Sequence, residues 1–231
     1  MSQVPEFITI PAKSNHSATV ILIHGLGSNA NEMKTIAEDL ATDPGLDHIK
    51  WLMPQASLRP STRLGGRVVP AWYDSRLGPD DEEGILESVE PLCNIVRQAQ
   101  EEGEKRVVLG GFSQGANMSL FIGATKRDLK LSGIVMLSGR MLIPEKLVEN
   151  IAPDAKDIPM FIAHGTDDKV IGLQTNRKCV DALKAAGFVL RDSTDEVGGI
   201  SYYVYEGMGH SVDMQEMDDL KDWLKKNISS D

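Results

Sequence analysis

Short apolar runs alternate along the chain with stretches in which apolar residues recur every three or four positions. The runs are typical of buried strands, and the recurring positions are typical of one face of an amphipathic helix. Strands are predicted in this way at residues 19–23, 51–53, 106–110, 134–137, 160–163 and 202–205. Helices are predicted around residues 33–40, 85–96, 116–126, 180–183 and 214–224.

Apolar strands that are separated by amphipathic helices predict a mostly parallel sheet with helices on both faces. The segment Phe7–Ile10 precedes this alternating series, and we expect it to add an antiparallel strand at one edge. Neither a change of composition nor an internal repeat divides the chain. We therefore predict one doubly wound α/β domain over residues 1–231.

The composition of the chain limits the kinds of partner and the cellular compartment that we expect. The chain has 231 residues and a formal net charge of −10, which argues against nucleic acid because binding to phosphates depends on Lys and Arg. Its two cysteines, Cys93 and Cys179, fall in predicted helices without a motif and favour a reducing compartment. The sequence shows no secretory leader, no apolar run of about 20 residues and no lipidation motif, so we expect a cytoplasmic protein.

The pentapeptide Gly111-Phe112-Ser113-Gln114-Gly115 joins a predicted strand directly to a predicted helix. Such a junction places Ser113 on a sharp, strained turn with its side chain pointing outward. The residues two before and two after must be small, because a Cβ atom there would collide with the turn. G-x-S-x-G alone is a weak signal, but between a strand and a helix it indicates the nucleophile elbow of an α/β-hydrolase.

Other strand ends carry further polar residues, and functional groups of open parallel sheets gather at the carboxyl ends of the strands. A serine nucleophile needs a base, usually histidine. His210 lies on a glycine-rich loop after the last predicted strand and is our candidate. His24 and His164 each precede a glycine at a strand end, where we expect the ring to pack beneath the loop.

The base needs a carboxylate that fixes its tautomer, and Asp167 and Asp168 both follow the predicted strand 160–163. The resulting order Ser113, Asp168, His210 is that of the α/β-hydrolases and differs from the orders in other serine hydrolase folds.

Acyl transfer also needs two N–H donors for the oxyanion. The amide of Gln114 is one candidate, because it follows the nucleophile and begins a helix. The amide of Leu26 is the other, between Gly25 and Gly27, which allow the backbone to approach the substrate.

Five sequence blocks resemble the acyl-protein thioesterase/lysophospholipase-carboxylesterase family. They are His24-Gly25-Leu26-Gly27, Pro70-Ala71-Trp72-Tyr73-Asp74, Gly110-Gly111-Phe112-Ser113-Gln114-Gly115, His164-Gly165-x-x-Asp168 and Tyr205-Glu206-Gly207-Met208-Gly209-His210-Ser211. With the surrounding elements they extend from residue 19 to 224. The resemblance selects Asp168 over Asp167. It implies hydrolysis of esters or thioesters in acylated proteins, lysophospholipids or small esters, without a cofactor or a metal ion. It also implies that Trp72 lines or supports the acyl site and that Leu77 contacts the substrate.

Several positions depart from the family pattern without touching the triad. Ser28 stands where the family often has Asp, and an aromatic residue is missing from 29–33. Ser75-Arg76 stands where long-chain enzymes carry apolar residues, and a polar stretch between Arg191 and Gly199 resembles an extra loop. Because pocket walls determine substrate choice, these positions bear on the acyl preference.

Three functions are compatible with these residues. Trp72 and Leu77 favour an acyl-thioester or lysolipid hydrolase, whereas Ser75-Arg76 favours a broad carboxylesterase of small esters. The third is a catalytically silent α/β-hydrolase that acts as a binding module, since the fold alone does not guarantee chemistry.

Residues 58–77 hold Arg59, Arg63, Arg67 and Arg76 but a single acid, Asp74. Gly65-Gly66 lies in the middle, so we expect a flexible loop that overhangs the active site. The simpler interpretation is a solvated loop without a ligand. The alternative is that Arg63 and Arg67 attract an anionic part of the substrate or, transiently, an anionic membrane surface. A hydrophobic acyl entrance would also allow two molecules to pair as a homodimer.

Overall fold

The computed structural model describes residues 4–101, 106–191 and 198–229. The strands are β1 Phe7–Ile10, β2 Ala18–Ile23, β3 Ile49–Pro54, β4 Leu58–Ser61, β5 Arg67–Pro70, β6 Val107–Phe112, β7 Gly133–Leu137, β8 Met160–Gly165, β9 Leu190–Arg191 and β10 Ile200–Tyr205. The α-helices are α1 Ala30–Leu40, α2 Glu82–Glu101, α3 Gln114–Thr125, α4 Pro144–Glu149, α5 Leu173–Ala185 and α6 Met214–Asn227. Short 3-10 helices occur at Pro44–Leu46, Thr62–Leu64 and Pro153–Asp157.

Eight of these strands form one sheet in the order β1-β3-β2-β6-β7-β8-β10-β9. All neighbours are parallel except β1, which pairs antiparallel with β3 at the edge. The predicted mostly parallel α/β fold is thus confirmed, including its antiparallel edge strand. The two-residue strand β9 at the other edge was not predicted. The polar stretch that follows it, residues 192–197, lies outside the described residues.

The strands are continuous apolar runs because each face of the sheet is covered. In β2, Ile21 and Ile23 pack toward α2, α3 and α5. Val20 and Leu22 point to the opposite face, where α1 and α6 cover them. Because the central strands are parallel, their carboxyl ends lie at one edge of the sheet, and the loops that follow them emerge there. No helix in the described ranges is long and apolar enough to cross a membrane.

The arginine-rich segment differs from its prediction, because it forms a hairpin and not an irregular loop. Strands β4 and β5 pair antiparallel, from Leu58 opposite Pro70 to Ser61 opposite Arg67. Gly65 and Gly66 have φ values of 67° and 84°, a left-handed conformation that glycine adopts without steric cost and that a tight turn requires.

Candidate active site

The turn between β6 and α3 is strained at a single residue. Ser113 has φ 55° and ψ −113°, outside the usual regions for a residue with a side chain. A Cβ atom at Gly111 would lie 2.3 Å from the carbonyl oxygen of Ile23, and one at Gly115 only 1.9 Å from it. The two glycines are therefore required by the backbone of β2, and they allow the elbow to project Ser113 from the sheet edge.

A continuous hydrogen-bond chain joins Ser113, His210 and Asp168. Ser113 Oγ lies 3.0 Å from His210 Nε2, and His210 Nδ1 lies 2.7 Å from Asp168 Oδ2. The other oxygen of Asp168 accepts the amides of Val170 and Ile171, at 2.8 and 2.9 Å. Because the buried carboxylate accepts at His210 Nδ1, the proton of the neutral ring sits there and Nε2 faces the serine hydroxyl as an acceptor.

The structure distinguishes the two aspartates that compete in the sequence. Asp168 is buried and contacts His210, whereas the side chain of Asp167 is exposed. The triad residues thus come together from the ends of β6, β8 and β10, although they lie far apart in the chain.

The other two strand-end histidines lie in the interior. His24 Nε2 accepts the amide of Ala56 at 3.0 Å, so Nδ1 carries the proton and donates to the Gly25 carbonyl at 2.7 Å. His164 Nε2 lies 2.7 Å from the Ile171 carbonyl, to which it donates, and 3.3 Å from Asp168 Oδ2. Burial lowers the pKa of both rings, which keeps them neutral. The contact between His164 and the triad carboxylate was not predicted.

The two oxyanion candidates lie beside the nucleophile. Leu26, Gln114 and Ser113 line one cleft. Among the described residues, the amides of Leu26 and Gln114 donate to no acceptor. Gly25 brings the loop close, since a Cβ there would lie 3.2 Å from Ser113 Cβ, and the Gly27 amide ties the loop to the Pro70 carbonyl at 2.8 Å. Two free N–H groups next to a serine hydroxyl are the arrangement that an oxyanion needs.

Comparisons with known proteins show the family to which the chain belongs. The family model described as Phospholipase/Carboxylesterase matches residues 5–228. The chain belongs to the phospholipase/carboxylesterase family. It is 35% identical to "Acyl-protein thioesterase 1" of Yarrowia lipolytica, over 96% of both chains. It is 36% identical to the protein of the same name from Cryptococcus neoformans, over 96% of this chain and 97% of the other. The crystal structure of Zea mays acyl-protein thioesterase 2 superposes with a TM-score of 0.84 and 30% identity, covering 97% of this chain and all (100%) of that one. The family that the motifs predict is confirmed.

In this member of the phospholipase/carboxylesterase family, Trp72 supports the site from behind and does not line the cleft. It is only 3% exposed, and its indole N–H donates to the His24 carbonyl at 2.9 Å. Its ring also packs against the imidazole of His24, with centroids 5.3 Å apart. The resemblance implied that Trp72 lines or supports the acyl site, and its burial beneath the loop at Gly25–Gly27 fits the supporting role.

The side chain of Gln114 has a structural role that sequence reasoning missed. Its carbonyl oxygen accepts the Trp72 amide at 3.1 Å, and its amide group donates to the Tyr73 carbonyl at 2.9 Å and to Ser75 Oγ at 3.0 Å. Gln114 thereby fixes the segment that follows β5 against the start of α3. The signal was present, because a glutamine at the start of a buried helix must find hydrogen-bond partners.

The cleft has a volume of about 1060 Å³. Its lining is mixed, with apolar side chains such as Met33, Ile36 and Phe112 and several charged ones. Of the substrate contacts predicted from sequence, Arg63 lines the cleft and Leu77 lies at its rim, 89% exposed.

Arg67 lies on β5 and does not line the cleft. The cleft also contains an ion pair between Asp80 and Arg140 that was not predicted. Arg140 follows the end of β7, so the strand-end argument that predicts the triad would also have pointed to Arg140, although not to its pairing with Asp80. Among the residues that the structure describes, no cluster of three or more His, Cys, Asp or Glu side chains is arranged to hold a metal ion.

Proposed function

We propose that this chain is a serine hydrolase that cleaves carboxylic esters or thioesters through an acyl-enzyme, either as an acyl-protein thioesterase that removes palmitoyl groups or as a lysophospholipase-type enzyme. The observation that carries the proposal is the hydrogen-bond chain from Ser113 through His210 to Asp168 beside two unpaired amides. The full-length similarity to proteins named acyl-protein thioesterase supports the substrate class.

The mechanism follows from the direction of the hydrogen bonds among Ser113, His210 and Asp168. Ser113 Oγ attacks the acyl carbonyl carbon while His210 Nε2 takes its proton, and Asp168 stabilises the imidazolium. The negative charge that develops on the carbonyl oxygen is held by the amides of Leu26 and Gln114. The loss of one such donor typically lowers kcat about 10²- to 10³-fold.

The tetrahedral intermediate then expels the thiol or alcohol, to which His210 returns the proton. A water molecule enters, loses its proton to His210 and attacks the acyl-enzyme. The second tetrahedral intermediate collapses to the free acid and restores Ser113. No cofactor takes part in this proposal.

The second candidate is a carboxylesterase of small esters that uses the same residues. The polar cleft wall favours it, because Arg76 pairs with Asp81 at 2.5 Å and Asp80 pairs with Arg140 at 2.5 Å. A silent binding module is the third candidate, and the assembled triad argues against it.

The deciding experiment measures kcat/KM for acetyl, octanoyl and palmitoyl esters and the matching thioesters, and for a palmitoylated peptide. Ser113→Ala serves as the blank. Thioester turnover that is lost in Ser113→Ala supports the thioesterase, whereas turnover confined to short oxyesters supports the carboxylesterase. No turnover of any substrate would reject both.

The arginine hairpin extends the proposal to an anionic partner. Arg59 pairs with Glu87 and Arg76 with Asp81, whereas Arg63 and Arg67 have no ion pair among the described residues. These two charges attract an anionic substrate group or an anionic membrane surface. Arg63→Gln/Arg67→Gln should lower kcat/KM for anionic substrates and spare neutral ones, and equal rates on both classes would reject this role.

Three statements about the whole protein belong to the same proposal. Residues 1–231 form one domain, the protein acts in the cytoplasm, and nucleic acid is not a partner. The two cysteines support a reducing compartment, since Cys93 and Cys179 are both free and buried. A homodimer through the cleft rim stays a prediction that the oligomeric state in solution would test.

A further inference from the structure

An ion pair is built into the wall of the cleft. Asp80 lies just ahead of α2, and Arg140 lies just beyond the end of β7. Arg140 Nη2 is 2.5 Å from Asp80 Oδ1, and Nη1 is 3.2 Å from Oδ2, a two-point contact. Both residues line the cleft that contains Ser113.

Two backbone groups also form hydrogen bonds with the pair. The amide of Ile143 donates to Asp80 Oδ2 at 2.8 Å, and Arg140 Nη1 donates to the Met141 carbonyl at 3.0 Å. Burial alone would raise the pKa of Asp80, but the hydrogen bonds from Arg140 and from the Ile143 amide hold it below its ordinary value. The side chains of Asp80 and Arg140 are 11% and 30% exposed. The cleft wall therefore carries a fixed, ionised pair.

Short contacts connect this pair to the nucleophile. The amide of Arg140 donates to Asn117 Oδ1 at 2.7 Å, and Asn117 Nδ2 donates to the hydroxyl of Tyr73 at 2.8 Å. The amide of Asn117 in turn donates to the Ser113 carbonyl at 3.0 Å. Tyr73, Asn117 and Arg140 thus form one continuous wall that begins one helical turn from Ser113.

The leaving group and the acyl chain of the substrate must occupy different parts of this cleft. His210 protonates the leaving group, so the leaving group lies near His210 and Phe112, whose rings pack with centroids 4.8 Å apart. The acyl chain takes the remaining part, whose lining includes Tyr73, Asn117 and the ion pair. This division depends on the proposed function.

A growing acyl chain gains affinity only while its carbons find apolar surface. Each methylene that leaves water for an apolar wall raises binding about fourfold. A chain that covers an ionised pair removes water from it, and the desolvation of charges opposes that gain.

We infer that the Asp80–Arg140 pair limits the length of the acyl chain that the enzyme cleaves well, so that acyl groups ending before the pair are preferred over palmitoyl. The chemistry of the proposed function is unchanged, and only its acyl specificity is determined by these two residues. Asp80 and Arg140 are specificity residues and not catalytic ones.

The test compares acyl thioesters of one thiol, from acetyl through butyryl, octanoyl and dodecanoyl to palmitoyl, below the concentrations at which they form micelles. For the wild type, kcat/KM should rise with chain length and then level off or fall before palmitoyl. In Asp80→Leu/Arg140→Leu the ratio of palmitoyl to butyryl kcat/KM should rise by about tenfold or more, equivalent to fewer than two further buried methylenes. Because both charges are removed together, no unpaired charge is left in the wall.

The matched control is Arg97→Leu/Asp128→Leu, which removes another ion pair, at 2.7 Å, between residues that do not line the cleft. Its chain-length profile should equal that of the wild type. The inference is overturned by a wild-type profile that rises steadily to palmitoyl. It is also overturned if the Asp80/Arg140 double variant, with its acetyl activity intact, keeps the wild-type ratio.

A single variant provides a second test that does not depend on the folding of the double variant. Asp80→Leu leaves the Arg140 guanidinium unpaired beside the acyl chain. It should raise kcat/KM for the monothioester of octanedioic acid, relative to the octanoyl thioester, by about tenfold, as an added charge-assisted hydrogen bond would. No relative gain would place the pair outside the reach of the acyl chain and overturn the inference. The proposed function fails separately, if the wild type cleaves none of the thioesters or esters.

Discussion

Replacement of Asp168 by asparagine changes the protonation of the proposed base while keeping the size of the side chain. Asp168 Oδ1 accepts the amides of Val170 and Ile171, so the carbonyl oxygen of the new asparagine stays at that position. Its NH₂ group then takes the place of Oδ2, 2.7 Å from His210 Nδ1. Because NH₂ can only donate, His210 Nδ1 must become an acceptor and the ring proton moves to Nε2.

A proton on Nε2 faces Ser113 Oγ at 3.0 Å, so His210 can no longer accept the hydroxyl proton. The expected loss in kcat is about 10⁴-fold, or about 5 kcal/mol of transition-state stabilisation. KM should change little, because the cleft walls are not altered. The contact of His164 with the same position adds a repulsion between two N–H groups, so a modest decrease in thermal stability is also expected.

The assay is steady-state hydrolysis of a butyryl thioester, with thermal unfolding measured on the same samples. Asp167→Asn is the matched control, because it makes the same chemical change at an exposed neighbour and should retain wild-type kcat. A folded Asp168→Asn enzyme within tenfold of wild-type kcat would refute the assignment of the acid. So would an equal loss in Asp167→Asn.

Three further predictions concern the elbow, the pH dependence of stability and the oxyanion loop. Gly115→Ala should prevent folding or lower the free energy of unfolding by more than about 4 kcal/mol, because the added Cβ would lie 1.9 Å from the Ile23 carbonyl oxygen. A urea unfolding transition equal to that of the wild type would contradict this prediction. Burial raises the pKa of Glu216 to about 8, above its value in the unfolded chain. The protonated carboxyl of Glu216 therefore stabilises the folded chain fully at low pH, and this stabilisation is lost as the pH rises through about 8. Glu216→Gln should flatten the fall in melting temperature between about pH 5 and pH 8, and an unchanged slope would refute the assignment. Trp72→Phe removes the indole hydrogen bond to the His24 carbonyl but keeps a smaller aromatic ring at this position. We expect kcat to fall about tenfold at constant KM, and an effect on KM alone would indicate contact with substrate instead.

The fold could be predicted because its requirements are local in the sequence. A strand buried on both faces is a continuous apolar run, as in β2, whose six residues are all buried. The elbow is equally local, since Gly111 and Gly115 are dictated by the single turn at Ser113. The edge strand Phe7–Ile10 was predictable from its place ahead of the parallel series, and its antiparallel pairing with β3 agrees.

Interactions between segments distant in the chain were not predictable in this way. Asp80 and Arg140 are 60 residues apart, and nothing in their local patterns indicates that the two side chains meet. The resemblance left open whether Trp72 lines or supports the acyl site, because the hydrogen bond from its indole to the His24 carbonyl, 48 residues earlier, becomes apparent only in the folded chain. The hairpin β4–β5 was missed for another reason, since its glycines and arginines favour a solvated loop when the strand pairing is not known.

The same distinction bears on what family membership can say about function. The proposed chemical groups stand at backbone positions that the sheet determines, so relatives at 35% identity are expected to share them. The cleft wall depends instead on side-chain pairs in the loops, such as Arg76 with Asp81 within one loop and Asp80 with Arg140 between two loops. Either pair can be replaced by apolar residues without moving a strand. It follows that the type of reaction can be inferred from the family, whereas the preferred acyl group must be measured on this chain.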